Sequence, residues 1–219
     1  MPAERLASKK ITVIGVGAIG RQVALQLAAI GAQHLQLIDD DIVDESNIAS
    51  QGYYESDLGK PKVSCTAIVC HLINKLINVE LYHQKFNGKL DSEQSQVNTN
   101  ENCTIGDTIF CCVDSITTRK EIWESVHDKV DFFCDGRMAA ESLRVLMAHD
   151  AESREHYPTT LFAQEEAFQG SCTAKSTIYC ANVAAGIMVA QFAKHLRGLL
   201  VEADISYNLQ TQELAILKE

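Results

Sequence analysis

Hydrophobic and polar positions along the chain switch between a period of two and a period near 3.6, and the switches divide it into elements. Residues 10–15 are a short β-rich run and predict a strand. From 18 to 30 the apolar positions recur at helical spacing, with Gly31 placed as a natural C-cap. Residues 34–39 alternate and predict a second strand. A helix is expected from Pro61, read as an N1 proline, to about Ile77, with Val63, Ala67, Cys70 and Ile73 on one side. The stretch before it, around Asn47, reads as polar and turn-like. Residues 79–84 predict a third strand, and 87–102, polar and without period, a surface loop.

Residues 108–113 then predict a buried strand, 115–127 a helix, and 132–134 a strand closed by the pair Asp135-Gly136. This order, β-α-β-α-β-β-α-β, predicts an α/β, Rossmann-like fold: a mostly parallel, doubly wound sheet with helices on both faces. Such sheets do their chemistry at the carboxyl ends of the strands. Beyond it, 143–148 predicts a strand and 150–170 a long loop of crossover type, reaching to about 172. Residues 177–196 predict a helix apolar nearly all round, and 204–210 with 213–218 an antiparallel C-terminal hairpin. No internal repeat is visible, and one domain is expected over residues 1–219.

Composition narrows the class. With 219 residues, 46% hydrophobic and 22% charged, the chain suits one ordinary globular core. A formal net charge of −10 argues against a general nucleic-acid binder and against docking on anionic lipid. No signal peptide and no membrane span are expected, which predicts a cytoplasmic protein. The eight cysteines show no CxxC and no His pairing at zinc spacing, so they read as small buried hydrophobes in a reducing compartment.

The candidate chemistry begins at GVGAIG, where Gly15, Gly17 and Gly20 follow a strand and open a helix. That setting suits phosphate: a tight turn at Gly15, close approach of backbone amides at Gly17, close helix packing at Gly20. Asp39, 19 residues past Gly20, stands where an acid hydrogen-bonds ribose hydroxyls. Asp41 would share its face, whereas Asp40 reads equally well as solvent-facing. Up to this point NAD and ATP are both served. Lys62 tips the balance, because a cation in the first turn of a helix opposes the helix dipole and needs another reason, such as polyphosphate. Asp114 tips it further: a carboxylate at the end of a buried strand can hold Mg²⁺ on phosphate oxygens, and can also cap the following helix.

The glycine loop, "DDDIVDESN", "GKPK" and "CCVDSITTR", in this order, resemble the ubiquitin-activating superfamily, with its ThiF/MoeB/HesA-type members. Those members adenylate the C-terminus of sulfur-carrier proteins, and the resemblance covers residues 9–218. It implies that Asp39 holds the ribose, that Lys62 contacts phosphates, and that Asp114 serves the metal and the adenylation step. It also implies that Ala18, Asn47, Gln51 and Ser115 line the nucleotide. The implied reaction uses ATP and Mg²⁺ and a small ubiquitin-fold carrier protein, whose terminal carboxylate attacks the α-phosphate; the resemblance also implies a homodimer.

Two departures change the expectation. Where the family writes Asn, two residues, then Arg-Gln, this chain has "NIASQ", with Ser50 in the arginine's place. A serine donates one hydrogen bond but brings no charge, and a lost phosphate-binding arginine costs orders of magnitude in rate. Arg5, Arg21 and Arg137 are the candidate substitutes. The family's zinc-binding CxxC pairs are also missing, so no zinc is expected. Cys172 in "QGSCTAKS", with Lys175 nearby, is the candidate thiol for thioester or persulfide chemistry. Two alternatives remain open: a non-catalytic nucleotide- or carrier-binding partner subunit of an active homologue, and adenylation of a carboxylate on a tRNA base, which the net charge disfavours.

Overall fold

In the computed structural model, residues 2–88, 104–162 and 178–217 are described. Cys172, Lys175 and nearly all of the expected polar loop lie outside them. After a five-residue helix α1 (Ala3–Ala7), strand β1 (Lys10–Ile14) leads into helix α2 (Ala18–Ile30). Gly31 closes α2 in the left-handed conformation, φ 99°, as its position predicts. Then come β2 (His34–Ile38), α3 (Glu45–Gln51), α4 (Lys62–Ile73), β3 (Asn78–Tyr82) and β4 (Thr108–Cys111). The second half contains α5 (Ile116–Val126), β5 (Phe132–Ala139), β6 (Ser142–Ala148), α6 (Ala151–Thr159), α7 (Ile178–Arg197), β7 (Asp204–Asn208) and β8 (Glu213–Ile216).

The strands form one sheet in the order β3-β2-β1-β4-β5-β6-β7-β8. The first five are parallel and the last three antiparallel, as the pattern of elements predicts. From β1 the chain winds to one side through β2 and β3, then crosses back to β4 and β5. The reversal falls between β1 and β4, and such a switch point opens a crevice at the strands' carboxyl ends.

Alternation along the strands feeds two cores. One joins Ile11, Val13, Leu35, Phe110 and Phe132 to α2, α4 and α7; the other joins Ile14, Ile109 and Phe133 to Trp123 of α5 and Tyr157 of α6. Helix α7 packs into the first core; it is rich in alanine and carries Lys194, His195 and Arg197 in its last turn, where cations meet the negative end of the dipole. Its Phe192 packs edge-on to Phe110, with ring centroids 5.6 Å apart. Cys65, Cys70, Cys111, Cys134 and Cys180 are buried, and Cys112 is half-buried. Burial pushes the Cys70 thiol up to about 12, which suits a packing role. No helix among the described residues is long and apolar enough to cross a membrane.

Four expectations need correction. The turn-like stretch around Asn47 is a helix, because Asp44 accepts from the amides of Ser46 and Asn47 while Asn47 Oδ1 accepts from the Asp44 amide, a complete capping box. The pair Asp135-Gly136 does not close β5; the strand runs on to Ala139 in register with β6. Glycine is needed there for a different reason, since a Cβ at 136 would stand 2.5 Å from Met188 Sδ of α7. The loop expected from 150 contains α6, capped by Asp150, whose carboxylate accepts from the Ser153 amide at 2.9 Å. Finally, α4 starts one residue later and ends earlier than expected. Pro61 is its N-cap, with ψ 133°, and Asn74 leaves the helix, its side chain donating to Ala32 O at 3.0 Å.

Candidate functional site

Register lines up the strand ends around the crevice: Ile14 pairs with Ile38 on one side and Cys111 on the other. The glycine loop therefore leaves β1 between the segment starting at Asp39 and the segment running to Asp114. Gly15 has φ +83°, and a Cβ there would stand 2.9 Å from Cys112 O. A Cβ at Gly20 would overlap Gly15 O, at 1.8 Å, so α2 can begin this close to the loop only without one. At Gly17, the N-cap of α2, a Cβ would meet only the Gln51 side chain, at 3.8 Å. The first turn of α2, with Ala18 as its first residue, thus points unpaired amides at the crevice.

The loop is braced from two sides. Asp39 Oδ2 accepts from the Val16 amide at 2.6 Å and its Oδ1 from the Asp41 amide at 2.8 Å. Tyr53 donates its hydroxyl to Val16 O at 2.6 Å and stands 3.1 Å from Thr66 Oγ1. Burial pushes the Asp39 carboxyl above its usual range, against the two amides that stabilise its charge. Tyr53 is a residue the sequence reading missed; its only signal is an aromatic next to Gly52 in an otherwise polar stretch.

Lys62 is buried at the start of α4, and its Nζ lies 2.7 Å from Asp41 Oδ2. Its place in a first turn is thus offset within the chain by an anion at the end of β2. Asp39, Asp40 and Asp41 are the one group among the described residues whose donor atoms, within 4.8 Å of each other, could share an ion. Asp39 and Asp41 are already engaged as above, and Asp40 is exposed, as is Asp41.

Across the crevice, Asp114 is exposed beyond β4. It does not cap α5; Ser115 does, accepting from the Thr118 amide at 3.2 Å, which corrects the capping role read for Asp114 and leaves its carboxylate free of that duty. The segment carrying it is held from beneath: Arg119 donates from Nη2 to Val113 O and from Nη1 to Asp135 Oδ1. Asp135 is fully buried and also accepts from Arg137 Nε at 2.8 Å and from the Tyr157 hydroxyl at 3.0 Å. Neither Asp135 nor this role of Arg119 stands out in the sequence.

Of the nucleotide-lining residues the resemblance implies, Asn47 is buried with its side chain committed to the capping box. Ser50 is buried and donates to Ser46 O at 2.5 Å, inside its own helix. Gln51 lies against Gly17, and its Oε1 is buried without a partner. Among the candidate arginines, Arg137 is fully used, its Nη1 and Nη2 donating to Thr160 O and Oγ1 at 2.8 and 3.1 Å. Arg5 donates to Leu196 O at 3.0 Å, near the end of α7. Arg21 is buried beside Tyr53.

A glycine loop, an acid at the end of β2, a buried lysine and an exposed carboxylate at the end of β4 make a crevice suited to a nucleoside polyphosphate. The chain is also similar to known proteins. The molybdopterin-synthase adenylyltransferase of Haemophilus influenzae is 32% identical over 120 residues, covering 54% of this chain and 46% of that protein. The SAMP-activating enzyme E1 of Haloferax volcanii is 28% identical over 116 residues, 52% of this chain and 40% of its own. The chain thus spans less than half the length of these curated relatives in the matched region. Among solved structures, E. coli MccB shares the fold with a TM-score of 0.74 at 17% identity, covering 99% of this chain and 63% of that one. PaaA shares it at 0.71 and 22%, covering 99% and 65%. Residues 2–216 match the ThiF family model, and the chain belongs to the ThiF family.

Proposed function

We propose that the chain is an ATP-dependent adenylyltransferase acting on the C-terminal carboxylate of a small ubiquitin-like or sulfur-carrier protein. What supports it most is the set of features around the β1/β4 switch point: a glycine loop braced by Asp39, a buried Lys62 paired with Asp41, and an exposed Asp114 following β4. The carrier's carboxylate oxygen attacks the α-phosphorus, the bond to the bridging oxygen breaks, and pyrophosphate leaves. Negative charge grows on the phosphoryl oxygens, so cations and fixed amides lower the barrier. Asp39 holds the ribose, the first-turn amides of α2 and Lys62 face the phosphates, and Asp114 faces them from the other side.

An exposed carboxylate that caps no helix among the described residues suits Mg²⁺, a hard ion that prefers one or two carboxylates plus phosphate oxygens. When bound with ATP, that ion would neutralise phosphate charge, and Asp114 is the residue that would hold it. A homodimer in the cytoplasm and a later step at Cys172, which lies outside the described residues, belong to the same proposal.

ATP–pyrophosphate exchange, run with and without candidate carrier proteins, tests it. Carrier-dependent exchange that disappears in Asp114→Ala supports the enzyme. ATP binding without exchange favours a partner subunit instead, a reading that Ser50 supports because its hydroxyl is spent on Ser46. For Cys172, a thiol-sensitive conjugate that survives Cys172→Ala excludes the thiol.

A further inference from the structure

Three cations among the described residues are buried: Arg21, Lys62 and Arg119. Two have anions, Lys62 with Asp41 and Arg119 with Asp135. Arg21 has none. It is 2% exposed, and its Nε and Nη2 are buried without a hydrogen-bond partner. The guanidinium carbon stands 4.7 Å from the Tyr53 ring centroid and 5.6 Å from that of Tyr54. Two aromatic faces offset only part of the cost of a charge taken out of water with open donors.

Its position says what could complete it. Arg21 is in the first turns of α2, its own amide donating to Gly17 O at 3.1 Å. Its side chain reaches the end of α3, where a Cβ on Gly52 would stand 3.8 Å from Nη1. The residue before Gly52 is Gln51, whose unpartnered Oε1 lies against Gly17. Tyr53, under the guanidinium, is the residue that donates to Val16 O of the glycine loop. An unpartnered guanidinium therefore lies buried beside Gly52 and Tyr53, the two residues that follow Gln51 and, through the Tyr53 hydroxyl, reach the glycine loop.

We propose that Arg21 contacts the polyphosphate of the bound nucleotide, donating from Nε and Nη2 to the oxygens that leave as pyrophosphate. The planar fork of a guanidinium matches phosphate oxygens in pairs, and stacking on Tyr53 holds it in one orientation. This assignment rests on the adenylation reading above. Arg21 thereby supplies a charge that Ser50 does not.

The test compares ATP and AMP binding to the full chain, wild type against Arg21→Met and Arg21→Lys, with melting temperatures recorded. In the methionine variant, AMP affinity stays within about twofold and ATP affinity falls at least about tenfold, because only ATP carries the contacted oxygens. The melting temperature without ligand does not fall, since an unpaired buried charge has been replaced by an apolar chain of similar reach. Arg21→Lys shifts the ATP-to-AMP ratio in the same direction by less, and is the deciding variant if the methionine protein does not fold. An unchanged ratio in the folded variants overturns the assignment, and so does a parallel loss of ATP and AMP, which would mark a structural residue. A wild-type chain that binds neither nucleotide overturns the adenylation reading itself, and Arg21 with it.

Discussion

Lys62 and Asp41 form an ion pair 2.7 Å long in which the lysine side chain is 5% exposed and the aspartate 62%. The desolvation cost falls almost wholly on the lysine, and the anion that offsets it can turn away into water. Asp41→Asn should therefore lower the stability of the ligand-free chain by about 1–2 kcal/mol, between the values for exposed and buried pairs. ATP should stabilise the variant more than the wild type, because its phosphates return the missing charge. Urea denaturation with and without ATP measures both. A smaller ATP effect in the variant would mean that Lys62 depends on Asp41 for its orientation.

Asp135 presents the reverse arrangement, one buried carboxylate shared by Arg119, Arg137 and the Tyr157 hydroxyl. Asp135→Asn leaves two guanidinium groups facing an amide, and breaking a buried pair from one side costs about 3–5 kcal/mol. Arg137→Met keeps the Arg119–Asp135 pair and should cost clearly less. Denaturant midpoints of the two variants rank these effects, and equal losses would refute a shared-carboxylate account.

These contacts separate what the sequence made legible from what it hid. The glycine loop, Asp39, Lys62 and Asp114 could be found because each is a local requirement: a turn, a strand end, a first helical turn. Asp135 could not, because its partners Arg119 and Tyr157 are 16 and 22 residues away and only the fold brings them in. Next to Gly136 it imitates a turn, and the contact with Met188 that explains the glycine is non-local. For α3 the signal is local, Asp44 and Asn47 at capping-box spacing, but a short polar stretch of this kind suits a turn equally well. For α6 the sequence pointed the other way, with Pro158 inside the helix and only Ser153 and Tyr157 buried.

Because Ser115 caps α5 and Asp114 is exposed beside it, substitutions at these neighbours should separate stability from chemistry. Asp114→Asn should change stability by less than about 0.5 kcal/mol, as at most exposed sites. Its ATP–pyrophosphate exchange should fall at least about a hundredfold, the scale of losing one electrostatic group in such a site. Ser115→Ala should cost about 1 kcal/mol from the lost cap. Paired melting and exchange measurements decide; an Asp114→Asn protein with full exchange would remove the carboxylate from the proposed chemistry.

At the amino end of β5, His195 packs against the Phe132 ring at 5.0 Å and the His149 ring at 5.8 Å. Lys9 also acts on it, although Lys9 is itself bonded to Asp107 and Asp131 at 3.0 and 2.8 Å. Burial, then the nearby His149 and Lys9, hold the His195 imidazole below its ordinary value of 6.5, with Asp131 and Asp107 opposing. The folded chain thus resists a proton that the unfolded chain accepts near 6.5. Above that pH the group contributes nothing to the pH dependence; as pH falls through 6.5 toward the depressed folded value, stability is lost, and below the folded value the loss is complete. The slope cannot exceed about 1.4 kcal/mol per pH unit for one group. Asp131 and Asp204 are both lowered from 3.8, so the stability they add is lost only in stronger acid. Between pH 7.5 and about 5.5, His195→Gln should therefore flatten the fall in urea midpoint seen in the wild type. If the two profiles run parallel through that window, the acid sensitivity belongs to other groups.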